Sequence, residues 1–342
     1  MSSPSSHADF SISSAPSTPG QEPPITLADT PFDDADGDAD TILHSSDNVE
    51  FMVHKIMLSY SSPVFRSWYE EFEPSEEFNQ RYDAFTMEED SATLTLLLRF
   101  IYPGSDPSIP CLSTFQHIMH LMREYDLIQQ TTLRKFLSTP EVIQTELLRV
   151  FAISFRFGFV EEAKLAAKQC LHTRFEPCPE IEELRYLTAL DFHRLWAYHR
   201  QCGVEAASLT HSLGWVPVQP RIWMESTTPA TDLDSDRHGV NCQLHPLTWN
   251  VENGARCLLR GWFVDFLKDA GDVIRERPLG AAAEVLSSPE FLDPTLKKTM
   301  DCNACRPKAH LQLTSFIAHF FVKEIEEVVG AVNPVLSIED DD

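Results

Sequence analysis

The spacing richest in chemistry in this 342-residue chain is Cys302-Asn303-Ala304-Cys305, with Cys242-Gln243-Leu244-His245 upstream. Each clip lets one tight loop offer two thiolate or imidazole donors, and two such clips make the tetrahedral set of a structural zinc. The intervening residues, 246–301, are more than a compact finger spans. Zinc held by Cys242, His245, Cys302 and Cys305 would therefore staple the loop near 240 to the start of the final helix, closing a long loop. The competing reading leaves Cys242 and His245 as ordinary loop residues. A redox role for Cys302 and Cys305 fits less well: a thioredoxin-type pair follows a strand and opens a helix, whereas helix-like Pro294–Met300 precedes this one.

Other constellations carry less. His117, His120 and Glu124 share helical spacing, but they flank an apolar stripe and read as a polar helix edge. The run Asp33-Asp34-Ala35-Asp36-Gly37-Asp38-Ala39-Asp40 alternates like a calcium loop. Counted from Asp34, Ala39 stands where the sharp turn needs glycine and Ser45 where the bidentate glutamate belongs, so the run reads as a solvated acidic segment. A metal-dependent hydrolase would need an open coordination position and a nearby carboxylate base, which these spacings do not supply. We expect no catalytic residues and no enzyme.

Composition narrows the class further. With 12 glycines, the closest being Gly254 and Gly261, the phosphate-cradling loops and nucleophile elbows that need glycines four or five apart cannot be written. A net charge of −25 excludes nucleic acid as a direct partner, since a phosphate backbone demands basic patches. No run reaches the ~20 apolar residues of a membrane span, so no membrane partner is expected. The N-terminus has neither a basic start nor an apolar core, so it does not read as a secretory signal. The expectation is a cytoplasmic or nuclear protein with mostly reduced thiols.

The elements that must position these residues follow from periodicity. Residues 1–30, rich in Ser, Pro and Thr without a period, read as a disordered tail. Thr41–His44 and Val49–Val53, separated by Ser45-Ser46-Asp47-Asn48, read as a hairpin. Leu94, Leu97, Leu98 and Ile101, then Phe115, Ile118, Met119 and Met122, line successive helix faces. A helical pair at 141–172 has Leu147, Val150, Phe151 and Ser154 on one helix and Phe159, Ala163, Ala166, Ala167 and Cys170 on the next, with Gly158 as hinge. A helical domain is expected over 180–330, including a helix with Ala255, Leu258, Leu259, Trp262, Phe263 and Phe266 in register, followed by an acidic tail at 331–342.

Within this frame, residues 38–138 resemble a BTB/POZ domain. The resemblance is carried by Phe51-Met52-Val53-His54-Lys55-Ile56-Met57-Leu58-Ser59-Tyr60-Ser61-Ser62-Pro63-Val64-Phe65, then by Leu97–Tyr102 and by Arg123-Glu124-Tyr125-Asp126-Leu127. The order of domain, helical pair and helical region, with Arg149-Val150-Phe151-Ala152-Ile153 after the domain, is similar to BTB proteins of the filamentous-fungal type. The resemblance implies an α+β fold: a BTB/POZ α/β cluster followed by an all-helical C-terminal domain. It implies a core containing Asp40, Phe51, His54, Lys55, Leu58, Ser62 and Phe65, with Asp40 and Lys55 as a structural ion pair. Residues 1–39 offer no amphipathic helix of the kind that strand-exchanged BTB dimers place before the first strand. The function implied is protein–protein interaction. One form is a substrate adaptor docking cullin-3 through Thr95, Arg99, Tyr102 and Tyr125; another is a scaffold or transcription-associated regulator acting by BTB self-association, without any ligase. Zinc is the one cofactor expected.

Overall fold

The computed structural model describes residues 24–33, 37–71, 83–104, 107–127, 131–227, 238–239, 242–280 and 284–336. Most of the expected N-terminal tail and the end of the acidic C-terminal tail lie outside the described residues. Two compact units divide at Gln130 and Thr131.

The first unit opens on β1 (Thr26–Leu27), β2 (Thr41–His44) and β3 (Val49–Val53), continues through α1 (Lys55–Ser61), α2 (Pro63–Glu71) and β4 (Asp83–Thr86), and ends on α3 (Ser91–Ile101) and α4 (Leu112–Glu124). The strands form one sheet in the order β1-β3-β2-β4. Its centre is the β2/β3 hairpin, with Thr41 opposite Val53 and His44 opposite Glu50. Asn48 supplies a left-handed turn residue at φ 61°. Asp47 accepts from Ser45 Oγ at 2.6 Å and from the Ser91 N–H at 2.8 Å, which ties the hairpin turn to the start of α3. Residues 24–32, read from sequence mainly as tail, instead run beside the sheet: β1 pairs in parallel with Val49 and Glu50, and Phe32 is buried against Tyr102 at 5.3 Å. A two-residue strand with one flanking aromatic leaves almost no periodic signal, so only its tertiary pairing reveals it.

The second unit begins with α5 (Thr131–Leu137), α6 (Pro140–Thr145), α7 (Leu147–Arg156), α8 (Val160–Cys170) and α9 (Ala189–Ser208). It then lays down β5 (Met224–Ser226), β6 (Leu244–Asn250) and β7 (Arg256–Arg260), and closes with α10 (Gly261–Glu276), α11 (Pro289–Lys297), α12 (Ala309–Phe316) and α13 (Val322–Gly330). Helices α7 and α8 turn at Gly158, whose φ of 75° suits a residue without Cβ. The buried alanines 163, 166 and 167 let the two helices approach closely. Thr188 and Asp191 form a reciprocal capping box that starts α9. One π-helical turn, Ile317–Phe321, joins α12 to α13.

The α+β class holds, and the C-terminal region is mainly helical. It is not all-helical, however: β5, β7 and β6 form an antiparallel sheet with β7 in the middle. The helix expected over 255–267 is two elements, with a strand to Arg260 and a helix from Gly261. The reason is that Cys257-Leu258-Leu259 is too short an apolar run to distinguish period two from period 3.6. Pairing on both edges settles it, and Cys257 and Leu259 are buried while Leu258 between them is only half-buried. Around this sheet sits an aromatic cluster in which Trp223 stacks on Phe263 at 3.7 Å and Phe316 stacks on Trp215 at 5.7 Å.

Candidate docking face and metal centre

In the first unit the segment from Phe51 to Phe65 is a wedge that buries Phe51, Met52, Val53, Leu58, Ser62 and Phe65 and leaves Ile56, Tyr60 and Pro63 exposed. Phe51, Leu58 and Phe65 are within 1% of complete burial, because β3 lies between two strands and α1 turns Leu58 inward. The short helix α1 is opened by its neighbours: the Lys55 backbone N–H donates to Asp40 Oδ1 at 2.7 Å, and the His54 N–H donates to the Tyr102 hydroxyl at 2.7 Å. It stops at Ser62, which precedes Pro63 and is held extended at φ −142°. Buried Ser62 then does two things: its hydroxyl donates to the Tyr125 carbonyl and accepts the Phe65 N–H at 3.1 Å, capping α2. The expected Asp40–Lys55 ion pair takes a different form, because Asp40 serves the backbone of Lys55 while the Lys55 ammonium lies 3.8 Å from Asp83 and over the Tyr69 ring at 4.8 Å. His54 Nε2 reaches Asp38 at 3.2 Å.

In the second unit His238, Cys242, Cys302 and Cys305 converge, their four donor atoms all within 4.8 Å of one another. His238 Nδ1 lies 3.5, 3.4 and 3.5 Å from the sulfurs of Cys242, Cys302 and Cys305, and Cys242 Sγ lies 3.5 Å from Cys305 Sγ. A tetrahedron with zinc–sulfur bonds near 2.3 Å and zinc–nitrogen bonds near 2.0 Å has edges of about 3.5 to 3.8 Å. The three sulfurs are buried and face the imidazole. Cys302 and Cys305 stand on the turn before α12, and Cys242 on the lead into β6. Buried Arg260 of β7 fixes that lead by donating to the Cys242 carbonyl at 3.0 Å, with its other arm on Glu225 at 2.8 Å. Burial pushes the Cys242 thiol up. It pushes Cys305 up much further, reinforced by the two neighbouring sulfurs. At Cys302 burial also raises the thiol, but backbone N–H groups of Gly239, Cys305 and Ala304 and the His238 ring outweigh it and bring it to about 6. The cluster thus favours thiolate at one sulfur and strains against it at another, which is the electrostatic situation a divalent cation relieves.

Residues 32–139 match the BTB/POZ domain family. This segment is a BTB/POZ domain. No curated protein matches the chain. The match starts ahead of the 38 expected from sequence, where Phe32 packs into the core, and runs on to take in α5. Of the residues expected to bind a partner through the BTB/POZ domain, Arg99 is exposed on α3, without an ion pair among the described residues. Thr95 is half-buried and bonds back to the Ser91 carbonyl at 2.7 Å. Tyr102 and Tyr125 point inward. Tyr102 holds His54, while Tyr125 is 6% exposed, stacks on Phe65 at 5.0 Å and donates to Glu89 at 3.0 Å. These two tyrosines support the outer face from within and do not line it. The face itself contains a groove of about 390 Å³ lined by Tyr60, Ser61, Arg66, Phe100, Ile101, Met122 and Leu127. Of this lining, Tyr60 is 80% exposed, and Ile56, one turn before it on α1, is 74% exposed.

The sequence reading of the metal set needs one replacement. His245 is not in the cluster: it lies on β6, accepts from the Leu247 N–H at 3.3 Å and meets Trp249 edge-on at 5.2 Å. The strand carries it away from Cys242, whereas His238, four positions before Cys242, folds back through the tight turn that the Cys242 N–H makes to the Gly239 carbonyl at 2.9 Å. The H-x3-C spacing was present in the sequence as a signal. His117, His120 and Glu124 are exposed along α4, as a polar edge.

Proposed function

We propose that this protein is a non-enzymatic adaptor whose BTB/POZ domain grips another polypeptide at the groove between α1, α3 and the end of α4. BTB/POZ domains are protein-interaction modules, and the observation that carries the reading here is the pairing of that groove with the exposed apolar side chains Ile56 and Tyr60. The partner that best suits an adaptor role is the N-terminal region of cullin-3, with another region holding a ubiquitylation target. A second reading, self-association as a scaffold or transcription-associated regulator, is favoured by edge strand β1, where Leu27 is 52% exposed and Ile25, just before the strand, is 62% exposed. Titration of the full chain with the cullin-3 N-terminal region separates the two. Micromolar binding that is lost in Arg99→Glu and Tyr60→Asp supports the adaptor. No binding, together with a dimer in light scattering that Leu27→Asp breaks, replaces it with the scaffold.

We read the cofactor as one structural zinc on His238, Cys242, Cys302 and Cys305. Four protein donors fill a tetrahedron and leave no position for a substrate or an activated water. Such a site needs reduced thiols, which supports a cytoplasmic or nuclear setting. No helix among the described residues is long and apolar enough to cross a membrane.

A further inference from the structure

We infer that the zinc is the folding staple of the sheet-bearing part of the second unit, so that β6, β7 and the start of α12 become ordered only when the metal is bound. This inference rests on the zinc reading above.

The pairs of donors it joins are far apart in sequence, with Cys242 and Cys305 separated by 63 positions and His238 and Cys302 by 64. Closing so long a loop costs the chain entropy that local contacts must otherwise offset. On the His238 side the described residues 238, 239 and 242 contribute backbone and sulfur contacts, with no large apolar side chain among them. Among the described residues the segment is held by polar contacts: the Cys242 N–H on the Gly239 carbonyl, the Gly239 backbone on the Cys302 sulfur, the Gly261 N–H on the Gln243 carbonyl and Arg260 on the Cys242 carbonyl, and Gly239 has no side chain to bury. Its backbone approaches the other knuckle so closely that a Cβ there would lie 3.3 Å from the Asp301 carbonyl oxygen. Two polar backbones and three buried sulfurs are therefore pressed together where an ordinary core would place apolar side chains. Unliganded, they lose their water and gain few packing contacts. Liganded, the binding free energy of the metal becomes folding free energy.

The consequences spread along both flanking elements. Directly after the Cys302/Cys305 knuckle, the Cys305 carbonyl accepts the Lys308 and Ala309 N–H groups at 3.0 and 2.7 Å, so the metal turn is the start of α12. That helix carries Phe316 into the aromatic cluster, 5.4 Å from Trp223 and 5.5 Å from Phe263. On the other side, Cys242 leads into β6, whose Leu244 pairs with Arg260 of β7. The Arg260 guanidinium is a positioning group: it holds the Cys242 carbonyl and aligns the loop with the sheet. Three thiolates with one imidazole select zinc among common divalent ions by softness and tetrahedral preference.

The test uses the full chain as purified. Metal analysis should return one zinc per chain, and cobalt(II) substitution should give the intense thiolate charge-transfer absorption of a tetrahedral sulfur-rich site. Zinc removal by a strong chelator should speed amide hydrogen exchange in residues 242–260 and 302–316 at least tenfold while leaving 49–65 and 112–125 unchanged, and added zinc should restore protection. His238→Asn should lose metal retention, His245→Asn should keep it, and Arg260→Met should bind cobalt with altered absorption. Absence of stoichiometric zinc, or iron in its place, overturns both the zinc reading and the inference. Stoichiometric zinc whose removal leaves exchange unchanged overturns the folding dependence alone. Metal loss in His245→Asn overturns the ligand assignment.

Discussion

Tyr125→Phe distinguishes an internal tyrosine from a docking one. The substitution removes one oxygen and keeps the ring stacked on Phe65 at 5.0 Å, so packing changes little. It also removes the donor that the phenol gives Glu89 Oε1 at 3.0 Å. Glu89 is 8% exposed, and its second oxygen has no partner among the described residues, so the carboxylate loses a charge-assisted bond in a site with little water. Bonds to charged groups contribute about 1.5 to 3 kcal/mol, which sets the expected loss near 2 kcal/mol. With urea slopes of about 1 to 2 kcal/mol/M, the midpoint of the BTB/POZ transition falls by about 1 to 2 M at constant slope. Hydrogen exchange at 51–65 and 112–125 assigns the transition to this unit. Glu89→Met combined with Tyr125→Phe costs less than the two singles added, because each single already removes the bond and the double removes it only once. A loss below about 0.5 kcal/mol, or unchanged stability with lost partner binding, would show that the phenol faces outward and that the inward placement is wrong.

Three further outcomes follow from other parts of the structure. Cys111 is exposed at the start of α4, and hydrogen bonds from Ser113 and then Thr114 lower its thiol to about 7, so iodoacetamide labelling of this residue should titrate near neutral pH and move toward 9 in Ser113→Ala/Thr114→Ala. His199 is buried, and burial lowers its pKa against the pull of the Thr173 and Cys170 carbonyls. Its contribution is complete above the unfolded value of 6.5 and is lost as pH falls through the lowered folded value, so urea midpoints should drop between pH 7 and 5 in the native protein and drop less in His199→Gln. Gly280→Ala places a Cβ 2.1 Å from the His172 carbonyl oxygen, which should cost about 3 kcal/mol by calorimetry, whereas Gly214→Ala, with open space around it, should cost less than about 1 kcal/mol.

Much was written in the linear order of residues. The hairpin at 41–53 needs only alternation and a polar turn, and the wedge from Phe51 to Phe65 needs only a strand, an apolar helix and a proline that ends it. The same holds for α7 and α8, whose buried positions follow the helical period. Cys302 and Cys305 were legible because C-x2-C is a local geometry, whereas Cys242 was named through its spacing to His245, which does not join the cluster.

Tertiary structure decided what local pattern leaves degenerate. Cys257-Leu258-Leu259 became a strand because β5 and β6 offered two edges to it, and a backbone paired on both sides has no free donors left for a helix. His238 replaced His245 because extended β6 carries His245, three positions on, away from Cys242, while the turn closed by the Cys242 N–H on the Gly239 carbonyl brings a residue four positions before it back onto the sulfur. Tyr125 turned inward because Glu89 and Ser62, far away in sequence, presented it with an acceptor and a donor. Sequence determines which side chains can do chemistry; the choice among equally spaced candidates belongs to contacts between residues dozens of positions apart, which no local period encodes.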